Sequence, residues 1–190
     1  MRAAIIALLL LWTGSAWAEE PAQIIEHLYA RLLEVMKAGP EMGFQGRFDA
    51  LAPVVDETFD LRGMTRLAVG ARLPPEDFDR VVEAFRRYTI ANYASQFRAW
   101  DGERFETNAA VPAHSGGQLV PSRIIPATGE PARIAYLMRQ QGDGWRVTDV
   151  LLDGTISQLA LRRSEFQAVL KQRGATGLVQ VLDSRTPAHR

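Results

Sequence analysis

Ala132-Arg133-Ile134-Ala135-Tyr136-Leu137-Met138-Arg139-Gln140, then Gln141-Gly142-Asp143-Gly144, then Trp145-Arg146-Val147-Thr148-Asp149-Val150-Leu151-Leu152, reads as two period-two runs about a glycine-rich tip. That is the signature of an antiparallel hairpin. In the first arm Ile134, Tyr136 and Met138 share one face, and Arg133, Ala135, Leu137 and Arg139 the other. In the second, Trp145, Val147, Asp149 and Leu151 alternate with Arg146, Thr148, Val150 and Leu152. Both faces of this arm turn apolar towards its end, which predicts cover on both sides. An acid inside a strand needs a partner, and Arg133 or Arg139 across the hairpin is the expected one for Asp149.

Working outward, Arg104–Asn108 alternates around Phe105 and Gln118–Ile125 is β-rich. Pro121 demotes the latter to an edge or bulged strand, because proline cannot donate to a ladder. Helical periodicity covers the flanks. Ile24, Ile25, Leu28, Leu32, Val35 and Met36 predict a helix from Pro21 to about Lys37, ended by Gly39-Pro40. A second is expected over Arg47–Phe59, kinked or restarted at Pro53. A third, Leu61–Val69, stops at Gly70. Beyond the hairpin, Ser157–Gln172 and Ala175–Leu182 are helical, broken at Gly174. The fold class is therefore α+β, an antiparallel sheet of about four strands with helices packed on one side. One domain over 19–185 with a polar tail at 186–190 is the simplest organisation.

The longest helix, about Pro75–Phe97, opens on Pro74-Pro75-Glu76-Asp77, proline and acids suited to a first turn. Phe78, Val81, Val82 and Phe85 form an apolar stripe. Past Tyr88 the stripe's centre turns polar at Thr89, Asn92 and Gln96, while apolar residues drift to Ile90, Tyr93 and Phe97. Either the helix bends around a second packing partner or this half lines a cavity of mixed chemistry. Base rates for aromatic stripes favour the bend.

The N-terminus reads as an export signal at 1–18. Arg2 supplies the charge, Ala3–Trp12 the apolar run, and Ala16-Trp17-Ala18 a small-x-small cleavage site. The apolar run is half the roughly 20 residues needed to span a bilayer. A cleaved leader and a periplasmic location are expected. The 190 residues balance 22 basic against 22 acidic side chains. Loss of the leader removes one arginine, so no basic excess remains for nucleic acid. There is no cysteine, hence no disulfide, no thiol nucleophile and no lipoprotein anchor.

Catalytic signatures are absent too. His27, His114 and His189 lack metal-ligand spacing, and no serine stands in G-x-S-x-G. His27 reads as a partly buried core histidine. Asp56, Glu57 and Asp60 cluster, but Asp56 and Asp60 suit capping or pairing with Arg62 and Arg66.

Four segments, in order, resemble the MlaC family: Phe59-Asp60-Leu61 with Met64 and Arg66–Gly70; Phe85-Arg86-Arg87-Tyr88 with Tyr93-Ala94; Tyr136–Arg139 followed by Gly144-Trp145-Arg146-Val147-Thr148-Asp149-Val150; and Arg163-Ser164-Glu165-Phe166 running to Leu170. Leu151–Ser157 with Arg162–Phe166 is most similar to the hopanoid-associated HpnM branch. At Gly70-Ala71-Arg72-Leu73 the chain departs from the family's G-R-x-W. The resemblance implies an NTF2/cystatin-like cone with an apolar cavity, and a monomeric periplasmic carrier of phospholipid or hopanoid-type lipids. The carrier would have no cofactor or metal and would dock on an inner-membrane transporter complex. It implies a lipid-binding wall drawn from Met64, Leu67, Leu73, Phe85, Tyr88, Tyr93, Phe97, Tyr136, Met138, Val150 and Leu152. Arg66, Arg72 or Arg133 would stand at the rim to meet an anionic headgroup. Two other classes compete: an adaptor that binds no ligand, and an enzyme using Asp149 or Asp153 with Tyr136.

Overall fold

The computed structural model describes residues 20–70 and 73–186; the expected leader, Arg72 and His189 lie outside the described residues. Among the described residues, five α-helices and a six-stranded antiparallel sheet make an α+β fold, with four strands of at least four residues and two of two.

Helix α1 (Pro21–Ala38) starts on a reciprocal cap between Glu20 and Gln23 and buries Ile25, Leu28, Leu32 and Val35. After a 3₁₀ turn at Pro40–Met42, α2 (Gly43–Thr58) begins one turn earlier than the periodicity predicts and runs on through Pro53 without a restart. Pro53 faces solvent, while Leu51, Val54 and Val55 hold the opposite face in the core. Helix α3 (Leu61–Val69) is capped by Asp60, whose carboxylate accepts the Gly63 N–H at 2.8 Å. A Cβ on Gly63 would sit 1.9 Å from that carboxylate, so glycine is what lets the cap close. Gly70, at φ 66°, ends α3 left-handed as the sequence predicts. Helix α4 spans Pro75–Gln96.

Strands β1 (Arg104–Thr107), β2 (Val111–Pro112), β3 (Gln118–Ile125), β4 (Ala132–Gln141), β5 (Gly144–Leu152) and β6 (Ile156–Ser157) follow. The order is β1-β3-β4-β5-β6, with β2 also on β3. The β4–β5 loop is two residues, Gly142-Asp143, with Gly142 at φ 58°.

Two expectations are corrected here. Strand β3 lies inside the sheet, not at its edge, and keeps register with β4 through Pro121. Its proline is tolerated because its carbonyl, and so its missing N–H, faces the interruption between β1 and β2, where it accepts from Asn108 N at 2.9 Å. The irregularity falls on the partner: Asn108–Ala110 span the gap opposite Val120 and Pro121. Second, β5 changes phase. Leu137 pairs with Asp149 but Met138 with Val147, so Thr148 is a bulge. The bulge puts Val147 and Val150 on one face with Tyr136 and sets Asp149 opposite Leu137 on the other, where among the described residues it forms no ion pair with Arg133 or Arg139. Asp149 accepts from Ser157 Oγ at 2.6 Å, Leu159 N at 2.9 Å and Val150 N at 2.8 Å instead.

That carboxylate stitches β5 to the start of α5 (Gln158–Arg185), whose Ser157 cap donates to Asp149 and accepts from Ala160 N at 2.9 Å. Gly174, at φ 63° and ψ −170°, divides α5 where the sequence places a break. The second half buries Leu178 and Leu182 and reaches Arg185, three residues beyond the expected end. The core lies between the sheet and α1–α5, and no described helix is long and apolar enough to cross a membrane.

Candidate functional site

A cavity of about 250 Å³ opens between the sheet and the helices. Its floor is one sheet face: Ile124 from β3, Ile134 and Tyr136 from β4, Val150 and Leu152 from β5. Ile134 pairs with Leu152 and Tyr136 with Val150, so the Thr148 bulge brings Val150 onto this floor. The roof is α4, with Phe85, Tyr88, Thr89, Asn92, Tyr93 and Gln96, extended by Phe97. Phe59 and Met64 close one side. Gln158, Leu159 and Arg162 from α5 form the other. The polar interruption of the α4 stripe is thus cavity lining, which corrects the bend reading.

Beside Tyr136, outside the lining itself, lies a group of buried hydroxyls. Tyr29 and Ser122 lie 2.6 Å apart, and Ser122 Oγ donates to Ile134 O at 3.1 Å. With its single proton committed, Ser122 must accept from Tyr29. The Tyr136 phenol stands within the electrostatic reach of both Tyr29 and Tyr93. No buried side-chain polar atom among the described residues lacks a partner. Burial is the main cause that holds all three phenols above their ordinary value, so they stay neutral near pH 7.

Arg162 also lines the cavity, its guanidinium 5.0 Å from the Tyr88 ring centroid. Among the described residues it is the one charged residue lining the cavity. No Asp, Glu or His shares that lining, and the described residues hold no acidic or histidine cluster suited to a metal.

Of the residues expected at the wall, Met64, Phe85, Tyr88, Tyr93, Phe97, Tyr136, Val150 and Leu152 line the cavity. Three do not. Leu67 is half exposed on the outer face of α3. Leu73 lies in a separate shallow groove with Val69 and Leu170. Met138 shares a face with Tyr136 but sits one pair further along, wholly buried in solid core. Neither described rim arginine is at the mouth. Arg66 lies over Phe78 at 4.7 Å. Arg133 is exposed on the sheet face opposite Ile134. His27 is exposed, not partly buried. Asp56 pairs bidentately with Arg86 at 2.6 and 2.7 Å, whereas Asp60 caps α3.

Periodicity missed Phe59, Ile124, Ile134 and the α5 residues. Ile134 carried a signal, since it shares its strand face with Tyr136. Arg162 carried none: it is the fifth residue of α5, and only the tertiary fold brings it to the cavity.

An α+β fold with a mostly apolar cavity between sheet and helices is the architecture of a small-ligand-binding protein. The chain belongs to the MlaC family, whose model, described as MlaC protein, matches residues 26–184. Its fold is similar to that of the phospholipid-binding protein from Ralstonia solanacearum solved in complex with a phospholipid, at a TM-score of 0.76 and 22% identity, over 88% of this chain and 97% of that one. No curated protein matches the chain.

Proposed function

We propose that the chain is a periplasmic carrier that holds the apolar part of a lipid in the cavity between α4, α5 and the sheet. One observation carries this reading: an apolar cavity between the sheet and the helices whose charged lining residue, Arg162, is in part exposed to water. Moving a lipid through water requires covering its chain, at about 0.8 kcal/mol per buried CH₂. Family membership and the phospholipid-bound Ralstonia relative support the same ligand class. The export signal at 1–18 supplies the compartment and an inner-membrane transporter the partner; the chain would act as a monomer. Within the family, the Leu151–Ser157 and Arg162–Phe166 segments support kinship with the hopanoid-associated branch.

Binding rather than catalysis is supported by the lining. Tyr136 has no acid or base beside it, and Asp149 is committed to the start of α5. An adaptor would pack closed, and the cavity speaks against that. The test is native mass spectrometry of the chain from Glu19, purified without detergent. Co-purified lipid at near one-to-one stoichiometry, lost in a folded Val150→Trp variant, is the expected result. An empty protein that also refuses added phospholipid and hopanoid would sink the carrier and leave the adaptor.

A further inference from the structure

Arg162 is placed as a headgroup anchor would be. It lines the cavity, its guanidinium is steered by the Tyr88 ring at 5.0 Å, and its side chain is 28% exposed, so one side meets the cavity and the other meets water. Its present partner is Glu165, one turn along α5, at 3.0 Å. Glu165 has a second cation, Arg185, at 3.4 Å. The pair is largely exposed and so is weakly held. An incoming anion can therefore take Arg162 while Glu165 keeps Arg185, and no charge is stranded.

We infer that Arg162 selects lipids carrying an anionic group at the cavity mouth, with Glu165 as its built-in competitor. The proposal rests on the lipid-binding reading and narrows it to acidic amphiphiles over neutral ones. Chain capacity follows from volume. An apolar cavity of about 150 Å³ takes benzene, so about 250 Å³ admits roughly ten carbons. The chemistry at the mouth is a carboxylate or a phosphate monoester; both make charge-assisted bonds to a guanidinium.

The test is calorimetric titration of the delipidated chain with decanoate, monodecyl phosphate and 1-decanol. Both anions should bind tighter than the alcohol, and the tighter of the two identifies the headgroup chemistry. Arg162→Ala should weaken the anions by about tenfold while leaving 1-decanol within about twofold. Arg162→Lys should restore part of the loss. Glu165→Gln should strengthen the anions about twofold to threefold, since a weak competitor is removed. Circular dichroism checks that each variant is folded. Equal binding of all three probes, or an anion preference that survives Arg162→Ala, overturns the inference and leaves the carrier standing. Failure of all three also overturns it, and the carrier falls as well only if the chain takes up no phospholipid in the mass-spectrometric test.

Discussion

Tyr136 joins two other phenols away from water, and this carries a consequence for pH. Burial, followed by the repulsion of neighbouring phenolates, disfavours ionisation, so its pKa stands well above the ordinary 10.0. Tyr29 and Tyr93 are raised by burial as well. Above pH 10 the unfolded chain releases these protons while the folded chain keeps them. Stability is therefore level below pH 10 and falls as pH climbs beyond it. Urea midpoints at about pH 9 and about pH 11 measure that fall. Tyr136→Phe should make it shallower, because one raised group is gone. Below pH 10 the variant should cost about 1–2 kcal/mol, because a buried hydroxyl beside Tyr29 and Tyr93 is removed. Identical alkaline slopes in the two chains would rule out the phenols as its cause.

Helix α5 consists of two segments with different attachments. The first, ahead of Gly174, is held by the Asp149 stitch and by Phe166, 2% exposed against Phe85 at 5.5 Å. The second sinks Leu178 and Leu182 to 1% exposure. Asp149→Ala leaves Leu159 N and the Ser157 hydroxyl without their acceptor, at a cost of about 2 kcal/mol. Hydrogen exchange should quicken over 157–173 and stay slow over 175–185, because Gly174 interrupts the helical bonds between the segments. Uniform quickening along α5 would mean a single unit. Elements of this kind were legible from local chemistry: Gly70, Gly174, the Pro75 start and the Gly142 loop are set by residues within a turn of each other. Pro121 and Asp149 were not, because their partners are decided by the sheet. The interruption that tolerates Pro121 lies on another strand, and a one-residue bulge at Thr148 reverses every facing downstream of it. The site followed the same division. Wall residues on a periodic stripe, such as Phe85 and Tyr88, could be placed, whereas Arg162 enters only because α5 folds back over the sheet.

For the whole molecule, stability and cargo are linked. The chain has no cysteine, so packing alone holds it, and part of that packing surrounds a cavity of about 250 Å³. A ligand that binds only the folded state adds RT ln(1 + [L]/Kd), about 2.7 kcal/mol at a hundredfold excess over Kd. In a chain of this size each kcal/mol moves Tm by about 2–4 °C, so saturating lipid should raise Tm by about 5–10 °C. Val150→Trp places an indole on the cavity floor between Tyr136 and Leu152 and should abolish that response while leaving the lipid-free chain cooperative. Scanning calorimetry of both delipidated proteins across a lipid series provides the test. A rise confined to the wild-type chain is the mark of cargo held inside. An equal rise in both would place the lipid on the outer surface, and no rise in either would mean that the cavity is left unfilled and the protein acts through its surface.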